Sequence, residues 1–225
     1  MTKLIGISGK IGSGKDTFAE IIRLICSAPY LTDQTIEHYL KNPNSGLIKT
    51  EWSIKKFAGK LKEVASLLTG IPVYKFEDQE FKKTNLPEEW NVWYPNQDRS
   101  EPMTVRELLQ KLGTEAMRNG LHTNAWVNAT FANFSYYSKW LITDVRFPNE
   151  AAAIIEKGGI LVRLERNSDT GDHPSETALD DYDFKIVIEN TGSLSELIQK
   201  AREFCETYHL ISVEEEYPPH TEGFF

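Results

Sequence analysis

Two hydrophobic periods alternate along the chain. Lys3 to Ser8 is a short apolar run that breaks into glycines, which predicts a buried strand. From Asp16 to Cys26 the apolar residues Phe18, Ile21, Ile22 and Ile25 repeat at the spacing of one helix face. Ala28 to Thr50 carries Pro29, Pro43 and Gly46 and reads as an insertion with room for one helical turn. Trp52 to Phe57 alternates as a strand does, and Gly59 to Leu68 has a helical pattern closed by Gly70 and Pro72. Residues 71–101 mix Lys, Glu, Asn, Pro and aromatics and predict an excursion over the core. Thr104 and Glu107 have capping-box spacing and open a helix from Val105 to Met117, with Leu108, Leu109 and Leu112 on one side. Further on, a helix is expected over Asn124 to Phe134 and a strand over Lys139 to Asp144. A helix from Asn149 to Lys157 ends at Gly158 and Gly159, and a strand follows over Ile160 to Leu164. Arg166 to Asp183 is polar, contains Gly171 and Pro174, and reads as a loop or lid. Lys185 to Ile188 is the last expected strand, and Ser193 caps a final helix that reaches His209.

Strands alternating with helices predict an α/β fold with a mostly parallel sheet and helices on both faces. No internal repeat or composition break divides the chain. One domain over 1–225 is therefore expected, with a lid at 166–183 and an acidic tail at 211–225 that holds Glu214, Glu215 and Glu216.

Composition narrows the classes. With 40% apolar and 11% aromatic residues, the chain is not of the disordered type. No stretch approaches the roughly 20 apolar residues of a membrane span. The N-terminus lacks a signal-peptide pattern, so a cytoplasmic protein without a membrane partner is expected. Cys26 and Cys205 cannot form a disulfide framework or a four-ligand zinc site, and read as reduced thiols on helices. The 25 Lys+Arg against 33 Asp+Glu give a net charge of −8, which disfavours a broad grip on a nucleic acid polymer. An anion can still bind where backbone N–H groups and a few cations converge.

Such a place is visible in the sequence. Gly9, Gly14 and Lys15 stand in the spacing G-x-x-x-x-G-K, after an expected strand and at the opening of an expected helix. This is the Walker A pattern in its required context, a P-loop whose N–H groups cradle phosphates while Lys15 supplies a cation. Residues Ile11, Gly12, Ser13, Gly14, Lys15, Asp16 and Thr17 are the candidates for holding ATP. The pattern asks for Ser or Thr after the lysine, where a hydroxyl holds Mg²⁺, and here Asp16 stands there with Thr17 behind it. Three readings stay open: the Asp16 carboxylate meets the metal, Thr17 does, or Asp16 is an acid favoured in a first helical turn. Trp140 to Asp144 has the form of a Walker B strand, whose acid orients Mg²⁺ or its waters. Asp144 could instead hydrogen-bond the substrate or pair with Arg146.

Basic residues recur at element ends, at Lys62, Lys82, Lys83, Arg106, Arg146, Arg163 and Arg166. Phosphoryl transfer needs several cations on two phosphate-bearing substrates. In a doubly wound sheet, ligands bind outside the carboxyl ends of the strands, where Arg146 and Arg166 are expected and Arg163 is not. His173, beside Pro174, reads as a structural loop residue, and the histidines show no metal-ligand spacing.

Taken together, these residues resemble the phage-type deoxynucleoside monophosphate kinases, within the P-loop nucleoside monophosphate kinase group. The loop ending at Lys15, Asp16 and Thr17 is similar to that family's, and so is the helix start from Phe57 to Lys62. Thr104 to Thr114 followed by Trp126 and Val127, then Thr143 to Glu150, His173 to Glu176, and Asn190 to Leu194 continue the likeness in order. Residues 28–50, 84–100 and the tail carry none of it. The resemblance implies a P-loop NTPase-type, doubly wound fold and transfer of the γ-phosphoryl group of Mg²⁺-bound ATP to a deoxynucleoside monophosphate. It implies that Lys62, Arg106, Gly113, Thr114 and Trp126 line the monophosphate pocket, with Arg146 near its phosphate. Lys15, Arg146 and the lid residue Arg166 would act on the transferring group, and Asn190 would lie near the adenine. For Trp126 the alternative is a core aromatic. A homodimer, a P-loop kinase of another phosphorylated small molecule, and a nucleotide-binding module without catalysis are left open, and a phage origin would place the protein in the host cytoplasm.

Overall fold

The computed structural model describes residues 3–43, 48–94, 99–135, 137–166 and 177–211. In chain order its elements are β1 (Leu4–Ser8), α1 (Lys15–Ser27), α2 (Asp33–Lys41), β2 (Trp52–Lys55) and α3 (Phe57–Thr69). Three short 3₁₀ turns follow, then β3 (Val92–Tyr94), β4 (Arg99–Glu101) and α4 (Val105–Gln110). α5 (Ala125–Phe131), β5 (Lys139–Val145), α6 (Pro148–Glu156), β6 (Ile160–Glu165), β7 (Val187–Glu189) and α7 (Leu194–Thr207) complete the described chain.

β1 is buried along its whole length, as a strand must be in the middle of a sheet covered on both faces. The sheet order is β2-β5-β1-β6-β7, and every neighbouring pair is parallel. Side chains alternate across it. Ile5, Ile7, Leu141, Val162 and Leu164 pack on one face with Phe18, Ile21, Ile22 and Ile25 of α1, Ile36 of α2 and Leu197 and Ile198 of α7. Leu4, Trp140, Ile142 and Leu161 face the other way, onto Phe57, Val127, Phe131, Ala151 and Ile154 of α3, α5 and α6. A third, smaller core gathers Phe76, Leu86, Val105 and Leu108 around Ala65 of α3, so the excursion seats on the back of that helix.

Several expected boundaries move, each for a tertiary reason. Residues 28–50 hold a nine-residue helix, α2, rather than one turn. Thr32 accepts from the Thr35 N–H, Ile36 is fully buried, and Arg202 of α7 donates to Asp33 at 2.8 Å. The excursion contains a two-stranded antiparallel hairpin, β3–β4. The helix opened by Thr104 does not stop at Met117; it widens into π-type turns over Lys111–Leu121. α3 begins at Phe57, two residues before its expected start, because a distant carboxylate caps it. Most of the expected lid, including His173, and all but the first residue of the tail lie outside the described residues. Cys26 and Cys205 lie on α1 and α7 with their Sγ atoms 3.9 Å apart.

Because the strands are parallel, the loops after all five open at one edge. The loop after β1, Lys56 after β2, Arg146 after β5, Arg166 after β6 and Asn190 after β7 share it. The chain leaves β1 toward β2 and β5 on one side and β6 and β7 on the other, which makes the end of β1 the switch point where such sheets bind ligands.

Phe18 ties α1 to α7 edge-on against Phe204, with ring centroids 5.8 Å apart. Phe18→Ala should cost about 3–5 kcal/mol by emptying a site with no solvent access. Urea unfolding checks this as a lower midpoint at an unchanged slope.

Candidate active site

The loop from Gly9 to Lys15 is held open by its glycines and pinned from behind. Gly14 has φ 93°, and a Cβ there would lie 2.5 Å from the Asn190 amide nitrogen. That amide donates to the Ser13 carbonyl at 2.8 Å, while the Asn190 backbone N–H donates to the Glu165 carbonyl at 2.7 Å. Asn190 is buried, and its side-chain amide is committed to supporting the loop. The Ser13 hydroxyl is buried and has no hydrogen-bond partner among the described residues, whereas Ile11 stands exposed at the tip beside Gly12. Lys15 Nζ folds over the loop and donates to the Gly9 and Lys10 carbonyls, each at 2.7 Å. Lys10 pairs with Asp180 at 2.6 Å, and Arg163 reaches the same carboxylate at 3.1 Å, so the far end of the lid segment is tied to the loop.

Asp16 is engaged on both oxygens. It accepts from the Thr143 hydroxyl at 2.6 Å and from Lys56 Nζ at 3.1 Å. Partial burial pushes its carboxyl up, but Thr143, Lys56 and the charge of Lys15 outweigh that and hold it below the usual range. Thr17 follows in the first turn of α1. Asp144 is also occupied: its oxygens accept the Phe57 and Ala58 N–H groups at 2.7 and 2.9 Å. It therefore caps α3, whose preceding Lys56 supplies no side-chain cap. Burial pushes the Asp144 carboxyl up, against the pull of these two donors.

Lys82 lies within electrostatic reach of three other cations from separate elements, Lys62, Arg106 and Arg146. Lys62 of α3 is buried and donates to Glu77 at 2.6 Å. Arg106 of α4 is exposed and reaches Gln79 at 3.4 Å. Lys82 is pushed down by burial and by the positive charges of Lys62, Arg106 and Arg146, with Glu77 partly offsetting them. Lys82 thus joins the set that the resemblance names. Arg166 is exposed at the end of β6.

Of the residues expected to line the monophosphate pocket, Trp126 and Gly113 are joined directly. Trp126 is buried and its indole N–H donates to the Gly113 carbonyl at 2.9 Å, which is the core-aromatic alternative. Gly113 is buried against Leu61, 3.0 Å from where a Cβ would stand, and Thr114 is exposed. Sequence reasoning did not single out Lys56, Glu77, Arg118 or Asp180. Their partners are distant in sequence, and no local spacing marks them.

Glu150 is 3% exposed and accepts the Arg146 and Phe147 N–H groups on one oxygen and Arg118 on the other. Burial pushes it up to about 7, helped by the nearby Asp144 charge and opposed by these donors.

A parallel sheet with a G-x-x-x-x-G-K loop between its central strand and a helix, at the switch point, has the fold of a P-loop kinase. The model of the family described as deoxynucleotide monophosphate kinase matches residues 55–201. A relative from Acanthamoeba polyphaga mimivirus is 30% identical over 86% of this chain and 91% of its own length. The deoxynucleotide monophosphate kinase of Enterobacteria phage T4 is 25% identical over 89% of this chain and 97% of its own length. The deoxynucleoside-5'-monophosphate kinase of Escherichia phage T5 is 25% identical, with 92% and 97% covered. The chain belongs to the deoxynucleotide monophosphate kinase family. No helix among the described residues is long and apolar enough to cross a membrane.

Asn190→Ala should leave the Ser13 carbonyl unpaired, cost about 1–3 kcal/mol of stability, and loosen the loop. Calorimetric titration should show weaker ATP binding, with monophosphate binding nearly unchanged.

Proposed function

We propose that the chain transfers the γ-phosphoryl group of Mg²⁺-bound ATP to a deoxynucleoside monophosphate, giving the diphosphate. The observation that carries this reading is the glycine loop itself, whose Lys15 ammonium lies over the Gly9 and Lys10 carbonyls and whose Ser13 hydroxyl is buried without a partner among the described residues, and the grouping of Lys62, Lys82, Arg106 and Arg146 supports it. A chain of net charge −8 has little reason to crowd four cations unless an anion sits among them.

The residues present fit both substrates. The buried Ser13 hydroxyl, without a partner among the described residues, suits a phosphate oxygen, as do the N–H groups at the start of α1. A magnesium ion held by Asp16 or Thr17 together with the nucleotide would supply neutralisation of the phosphate charge. It binds through one or two carboxylates and substrate phosphates rather than an all-protein cage. That suits Asp16 and Thr17, since no three His, Cys, Asp or Glu cluster among the described residues. Asp144, with both oxygens on α3, serves this site by capping rather than as a principal metal ligand.

Catalysis is then positioning and charge neutralisation. Lys15 turns from the loop carbonyls to the transferring phosphate. Lys62, Lys82, Arg106 and Arg146 hold the acceptor phosphate in line, and Arg166 comes over the transferring group from the lid. Gly113, Thr114 and Trp126 shape the wall behind the acceptor, with Asn190 supporting the loop. The partners are these two small molecules; no polymer or membrane is needed.

An ADP-release assay over the four common deoxynucleoside monophosphates tests the substrate class, and no turnover with any of them overturns it. Lys15→Ala should lower kcat by about 10²-fold or more while the protein stays folded, as circular dichroism checks. Arg106→Lys should raise the KM for the monophosphate far more than that for ATP, because a lysine cannot copy a two-pronged grip on phosphate.

A further inference from the structure

Arg146 leaves the end of β5 at the turn into α6, and the direction of its side chain depends on how that turn is held. One oxygen of Glu150 accepts the N–H of Arg146 at 2.8 Å and that of Phe147 at 3.1 Å. The other oxygen accepts Arg118 Nη2 at 2.9 Å. Arg118 comes from the widened turns at 111–121, and its second arm donates to the Asn149 side-chain oxygen at 3.2 Å. Its guanidinium lies 3.9 Å over the Phe147 ring. Every one of these contacts falls on residues 146–150.

A buried ion pair is a weak source of stability, since taking both charges out of water offsets much of their attraction. Here the Arg118 side chain is 13% exposed and Glu150 3%. An apolar pair of similar volume would pack α6 against the widened helix as well. It would not receive the Arg146 and Phe147 N–H groups, nor hold Phe147 and Asn149 in one orientation. We infer that Arg118 and Glu150 are positioning residues that aim Arg146 at the acceptor phosphate, an inference that rests on the kinase reading above. They act through the backbone at 146–147, and the widened helix links this turn to Gly113 and Trp126.

The test compares the wild-type protein with the double variant Arg118→Met/Glu150→Met, which replaces the ion pair by apolar side chains of similar size that cannot receive the Arg146 and Phe147 N–H groups. Turnover is measured against both substrates, and folding by thermal melting. The expected result is a folded double variant with an acceptor KM raised on the order of tenfold, since a small misplacement of a gripping group is costly. The KM for ATP should stay within about twofold. Arg118→Lys keeps a charge beside Glu150 but loses the second arm, and should fall between. If the double variant does not fold, Arg118→Lys decides by the same split between the two KM values. A folded variant whose acceptor KM is unchanged, or whose two KM values rise together, overturns the positioning role. A wild-type protein that turns over no deoxynucleotide overturns the kinase reading and this inference with it.

Discussion

One carboxylate joins the two halves of this site. The first N–H groups of a helix need acceptors, and Lys56, the residue ahead of α3, offers none. Asp144 supplies both from the end of β5, at a distance of 87 residues in sequence. An acid at a helix N-terminus is favoured by the helix dipole, which offsets part of the cost of burying it. The consequence is geometric. α3 carries Lys62 and seats both the excursion that carries Lys82 and the helix α4 that carries Arg106, so these cations are fixed relative to the strand that also leads to Arg146. Neighbouring Thr143 points the other way along the same strand end and holds Asp16 at the mouth of the loop.

The grouped cations repel one another, and the protein offsets this with acids paired to the lysines of this region. Glu77 takes the Lys62 ammonium, and Asp16 takes that of Lys56. Lys82 still feels three positive neighbours. A phosphate entering such a place relieves repulsion as well as gaining hydrogen bonds, which is how an acidic protein can hold an anion firmly. The same economy appears at the loop, where Asp180 draws together Lys10 after β1 and Arg163 from within β6.

Much of the fold was legible because the hydrophobic periods were strong. β1, β5 and β6 are runs of apolar residues that only a sheet covered on both faces can bury, and α1 carries an unbroken apolar face. The glycines and lysine of the loop were legible because close approach to phosphate demands those residue types. α2 was missed beyond a turn because its stability comes from Ile36 and Arg202 packing it on α7, not from its own polar sequence. The widening of the helix at Lys111 was likewise hidden, since its Gly113 carbonyl meets an indole N–H thirteen residues on.

By itself, then, the sequence determined the alternation of strands and helices, the phosphate loop, and the family, because each is written in local spacing or in residue types with one physical use. Only the tertiary structure decided what Asp144, Asn190 and Trp126 hold, and which cations stand together. An isolated Asp at a strand end can serve a metal, a substrate or a helix start with equal ease. Which of these it does depends on the groups that packing brings within 3 Å, and for Asp144 those are two N–H groups of α3.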